Sequence, residues 1–199
     1  MFKFLRKPPP IQDLVSLADF VEQQAAFVTQ KGIYEYSRAR AGHYAKVLFG
    51  ESEFIQAVEV SRWGAYPLGL AMVAEAVEGA LRPHVGDERR AALDALMALV
   101  LSVFDRHAAP AAIGETGWAD ARSELARRLD LIGTHAVKFA KDIPEPFAQL
   151  YFDLMPIHAK LRGNDFPTIR NYLRVTLCNI HDELMKRADI PALAQALRS

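Results

Sequence analysis

Pro67-Leu68-Gly69-Leu70-Ala71-Met72-Val73-Ala74-Glu75-Ala76-Val77 is the stretch on which the fold turns. On a helical wheel Leu68, Leu70, Met72, Val73 and Val77 leave almost no polar side, and a helix apolar nearly all round must be covered from every direction. Lipid does not supply the cover. The longest uncharged apolar stretch, Trp63 to Ala74, has 12 residues and contains Pro67, whereas a bilayer span needs roughly 20. The cover must come from other helices, so the sequence predicts an all-α, single-domain helical bundle with this segment at its centre. Gly64 and Pro67 stand at its entrance. Proline there removes a helical hydrogen bond and crowds the carbonyl four residues back, so a kink or break of the central helix is expected near Gly64–Pro67.

The flanking sequence provides the wrapping. From Asp13 onward, Leu14, Leu17, Ala18, Val21, Ala25 and Val28 recur at spacings of three and four, the period of one helix face. Gly32 is a candidate break, and residues 33–49 continue as helix with a second weak point at Gly42. Ser52, flanked by Glu51 and Glu53, marks the start of the central helix as cap; Pro83 is expected to stop it after about Leu81. Asp87 caps the next helix, whose buried face is Leu93, Leu96, Met97, Val100, Leu101 and Phe104. Residues 110–117 read as a loop, and a more polar helix from about Ala119 carries Leu125, Leu129 and Ile132. Pro144 and Pro146 suit the first turn of a helix reaching Leu154. Ile169, Leu173, Thr176, Leu177, Ile180 and Leu184 form the most regular stripe in the chain, and a short helix from Pro191 follows. No segment alternates as a strand does. Six to eight helices are expected over residues 11–199, preceded by a flexible basic, aromatic and proline-rich tip over residues 1–10.

Charge narrows the partners. The 199 residues carry 24 basic and 24 acidic side chains, 11 against 12 in residues 1–99 and 13 against 12 in residues 100–199. A nucleic-acid binder advertises a basic face, and neither half has the surplus for one. The single cysteine, Cys178, excludes an internal disulfide, and the N-terminus lacks the pattern of a signal peptide; both fit the cytoplasm. The alanine- and arginine-rich usage is of the kind found in GC-rich bacteria. Phe2, Phe4 and Leu5, interleaved with Lys3, Arg6 and Lys7, suffice for at most weak contact of residues 1–7 with a membrane surface.

Catalytic and metal signatures are missing. No histidine has an acidic residue three places before it, as a di-iron bundle requires. Cys178 and His181 lie one helical turn apart, but two ligands do not make a site, and Cys178 falls on the apolar side of its stripe. No nucleophile elbow or phosphate loop stands in the required strand context. No cofactor or metal is expected, and the protein is read as non-enzymatic.

Two segments remain. Tyr34, Tyr36, Arg38, Arg40, His43 and Tyr44 interleave aromatics with cations, the composition of a protein–protein hot spot; equally, they suit a half-exposed helix with snorkelling tyrosines and paired arginines. Glu59, Arg62, Trp63 and Tyr66 precede the expected kink. Glu59 and Arg62, at i and i+3, read first as a buried ion pair, and alternatively as part of a pocket wall for a small apolar or acidic ligand. The leading expectation is a partner-binding helical protein acting as a homodimer, with the pocket as the alternative.

Overall fold

The computed structural model describes residues 8–198, so the basic tip at residues 1–7 lies outside the described part. Nine α-helical segments occur among the described residues: α1 (Leu14–Ala41), α2 (Ala45–Leu48), α3 (Ser52–Val85), α4 (Arg89–Phe104), α5 (Gly114–Ile132), α6 (Ala148–Asp153), α7 (Ala159–Arg162), α8 (Phe166–Arg187) and α9 (Ile190–Ala196). Two of these, α2 and α7, are single four-residue turns, which leaves seven longer helices in an all-α bundle. None is long and apolar enough to cross a membrane.

The central helix is where the sequence places it. Every residue of α3 from Ala65 to Glu78 is buried, enclosed by α1, α4, α5, α8 and α9. Of the kink or break expected at Gly64–Pro67, the break is absent: one helix runs through both. Burial on all sides supplies the packing that offsets the hydrogen bond Pro67 cannot make. Pro83 does not stop the helix either. It ends at Gly86, whose φ of 57° no β-carbon-bearing residue adopts cheaply.

Other boundaries move for identifiable reasons. Gly32 is not a break but an interior position of α1, where a β-carbon would come within 2.5 Å of the Tyr172 ring. Helix α1 stops at Ala41, and the continuation expected through residue 49 divides into a 3₁₀ turn (Gly42–Tyr44) and α2. The expected loop at 110–117 already contains the start of α5 at Gly114. The helix expected through Leu154 shortens to α6. Cys178, expected on the apolar side of α8, is half-buried.

Amphipathic faces do the rest. The buried residues of α8 are Ile169, Leu173, Thr176, Leu177, Ile180 and Leu184, the stripe read from sequence. Asp13 caps α1 reciprocally with Ser16, accepting from the Ser16 amide at 2.7 Å. Helices α1 and α3 approach closely at Gly69, where a β-carbon would lie 2.8 Å from the Ala25 carbonyl oxygen. Tyr151, fully buried, donates to the Thr29 carbonyl at 2.8 Å and fastens α6 to α1. The buried charged side chains among the described residues are Glu75 and Glu78 of α3. Glu78 takes two hydrogen bonds from Arg82, at 2.6 and 2.7 Å, and Glu75 meets Lys138 at 2.7 Å. Arg82 donates in turn to the carbonyls of Ile132 and His135, while Arg89 donates to that of Gly133. The two carboxylates thus tie the segment after α5 to the central helix.

A candidate ligand site beside Trp63

The N-terminal half of α3 emerges from the bundle with Gln56, Glu59 and Trp63 turned toward the segment that follows α4. That segment is pinned from three sides. Asp105 forms a two-point ion pair with Arg122 of α5, at 2.7 and 2.8 Å, which holds the Asp105 carboxyl below its ordinary pKa. Arg106 bridges Asp19 and Glu22 of α1. The Trp118 indole donates to the His107 carbonyl at 3.2 Å. An irregular stretch held this way presents a fixed wall.

Between that wall and α3 lies an open groove of about 600 Å³, lined by Glu59, Trp63, Arg106 and His107 among others. Behind it is a small inner cavity of about 70 Å³ whose wall includes Glu22, Gln30, Arg62 and Tyr66. Trp63 and His107 belong to both. The partition is aromatic: Trp63 meets His107, Trp118 and Tyr66 edge-on at centroid distances of 5.3, 5.7 and 5.9 Å, and Tyr66 meets His107 at 5.4 Å. These are favoured edge-to-face arrangements. His107 Nε2 lies 3.0 Å from Glu22 Oε1, which fixes the ring against the cavity.

The four residues Glu59, Arg62, Trp63 and Tyr66 are therefore brought together. Glu59 and Arg62 pair at 3.2 Å as their spacing implies, but both remain about a quarter to a third exposed, so the pair rims the site and is not buried. Glu59 also accepts from the Trp63 indole at 3.2 Å, and the Arg62 guanidinium lies 4.7 Å from the Trp63 ring centroid. Sequence reasoning missed Glu22, Arg106 and His107. Their contacts cross more than 80 positions of chain, and no local spacing announces them.

The tyrosine–arginine segment divides instead. Tyr36 is buried and donates to Asp165 at 2.9 Å; burial and that bond push its phenol pKa up to about 12. Arg40 pairs with the same carboxylate at 3.0 Å. Both are internal ties to the turn before α8. Tyr34 stacks on Phe49 and is partly exposed. Arg38, His43 and Tyr44 face outward, with Arg38 and His43 lining a depression beside Lys46. No group of three or more His, Cys, Asp or Glu among the described residues is placed to hold a metal ion. The chain matches no protein family, no curated protein and no solved structure.

Proposed function

We propose that the protein is a cytoplasmic binding protein that captures a small planar molecule in the groove beside Trp63. One observation carries this: a groove of about 600 Å³, within the range of roughly 300–1,000 Å³ usual for ligand sites, is walled by the aromatic cluster of Trp63 and His107, which also lines a small adjoining cavity. The wall is fixed by the Asp105–Arg122 and Arg106–Glu22 pairs, so little ordering cost falls on binding. A fragment screen by proton NMR saturation transfer tests the reading. Aromatic fragments are expected to bind the wild type and to be lost in Trp63→Ala; a screen with no hits at millimolar concentration, or hits indifferent to Trp63→Ala, overturns it.

A second reading, self-association through residues 34–49, is favoured by Arg38. Alone among the described arginines its side chain has no ion pair, hydrogen bond or ring contact, and the same segment carries Tyr44 and Val47, which are 69% and 62% exposed. Tyrosine and arginine are the residues that dominate hot spots. Light scattering after size exclusion is expected to give a dimer that Arg38→Glu or Tyr44→Ser dissociates; a monomer at high micromolar concentration refutes it.

A further inference from the structure

The unpaired Arg38 belongs to a larger group. A depression of about 430 Å³ at the end of α1 is lined by Arg38, Gly42, His43, Ala45, Lys46 and Phe49. Two of these are permanent cations, one is a histidine, and none is acidic. Arg38, His43 and Lys46 are all exposed. None of the three side chains has an ion pair or hydrogen bond among the described residues, and the His43 ring meets only that of Tyr44, at 5.3 Å. The neighbourhood is otherwise paired: Arg40, two places on, meets Asp165 at 3.0 Å. Glu35, the carboxylate nearest to Arg38 in sequence, forms no ion pair with it and bears electrostatically on the Tyr172 phenol of α8. A chain whose 24 basic and 24 acidic side chains cancel therefore gathers unmatched positive charge in one hollow, which attracts small anions.

The backbone beneath these charges is anchored. Gly42, at a φ of 55°, ends α1 in a conformation that a residue with a β-carbon adopts only at a cost. The chain turns there, and α2 folds back on α1. Phe49, just after α2, stacks on Tyr34 of α1 at 6.0 Å and meets Phe54 of α3 edge-on at 5.1 Å. Arg38 and Lys46 thus reach one hollow from opposite sides of a held turn, and neither must leave an internal partner to close on a ligand. The lining sets the ligand's charge. A phosphate monoester brings about −1.5 to −2 charges and three strong acceptor oxygens, which two fixed cations match, whereas a carboxylate brings one charge. The guanidinium offers a planar fork, the ammonium a point charge, and the imidazole a further N–H. The hollow is larger than a phosphoryl group, and Phe49 supplies an apolar wall for an organic body. We propose that the depression between α1 and α2 binds the phosphoryl group of a phosphate monoester, held by Arg38 and Lys46 with His43. This is independent of the groove beside Trp63, and it gives Arg38 an occupant other than a second copy of the chain.

A soluble ester and the headgroup of a lipid such as phosphatidic acid present the same group, and the test separates them. It uses the full ¹⁵N-labelled chain, phenyl phosphate and benzoate as probes, and the Gly42 amide signal as readout. Phenyl phosphate is expected to shift that signal and to bind about fivefold tighter than benzoate or better. Arg38→Gln/Lys46→Gln is expected to weaken phenyl phosphate by about tenfold or more. Because both side chains are exposed and without partners in the fold, the double variant should keep the wild-type urea midpoint. Vesicles of phosphatidylcholine with about 20% phosphatidic acid give the second arm. Co-sedimentation that the double substitution abolishes assigns the phosphoryl group to a lipid; binding of phenyl phosphate without such sedimentation assigns it to a soluble ester. Benzoate binding as tightly as phenyl phosphate, or phenyl phosphate affinity unchanged in the double variant, overturns the proposal. So does a Gly42 signal silent toward millimolar phenyl phosphate together with no such sedimentation.

Discussion

Arg82→Met should be among the most damaging single substitutions in the molecule, and its companion Glu78→Leu should partly repair it. Arg82 does two jobs. It neutralises Glu78, which is 6% exposed, and it donates to the carbonyls of Ile132 and His135. Removing one partner of a buried ion pair costs about 3–5 kcal/mol, because the survivor stays buried and charged. Arg89, 3.8 Å from Glu78, softens this somewhat. The two abandoned carbonyls add about 1 kcal/mol each. The single variant should therefore lose about 4–6 kcal/mol from a total of roughly 5–15 for a domain. Glu78→Leu/Arg82→Met removes the stranded charge and keeps only the carbonyl loss, so it should be more stable than Arg82→Met by about 2 kcal/mol or more. Urea unfolding followed by circular dichroism, with equal m-values across the set, measures all four corners of the cycle. A double variant no more stable than Arg82→Met would refute the reasoning, since the carboxylate would then carry no burial penalty of its own.

Other outcomes follow from the packing. In Gly69→Ala the new β-carbon meets the Ala25 carbonyl oxygen and Thr29 Cγ2, both at 2.8 Å; overpacking of about 1–3 kcal/mol should outweigh the gain in helix propensity of about 1. An unchanged or raised urea midpoint would mean that α1 retreats freely. At alkaline pH, Tyr36 and Tyr172 have phenols raised to about 12, chiefly by burial, against an ordinary value near 10. Protons leave the unfolded chain first, so their stabilisation is complete below pH 10, declines above it and is gone as pH passes about 12. A urea midpoint that stays flat from pH 9 to 11.5 contradicts this assignment.

Much of the fold was legible because it is local. The α8 stripe and the all-round apolar run of α3 are periodicities, and periodicity survives without any knowledge of neighbours. Pro83 and Gly32 misled for the opposite reason: each is a poor helix residue by itself, tolerated here because tertiary packing outweighs intrinsic propensity. The same division runs through the candidate site. Glu59 and Arg62 were paired correctly because i and i+3 share a helix face. That they rim a groove could not be read, since the opposite wall comes from residues 106–112, after a different helix. In the tyrosine–arginine segment, the helical period alone separates Tyr36, turned inward, from Arg38 two places on, turned out.

One small contact has a consequence for how the chain is made. Ile11, fully buried, donates its amide to the Arg187 carbonyl and accepts from the Asp189 amide, while Arg187 reaches the Pro9 carbonyl. Residues nearly the whole chain apart thus close a belt, and α8 and α9 complete the cover of the central helix. During synthesis, which delivers the N-terminal part first, α1 and α3 emerge long before their cover exists. Residues 65–78 therefore wait with apolar surface bare until the last fifth of the chain leaves the ribosome. A nascent chain of this design is a client for holding chaperones, and truncations before residue 187 should be captured by them while the full chain is released.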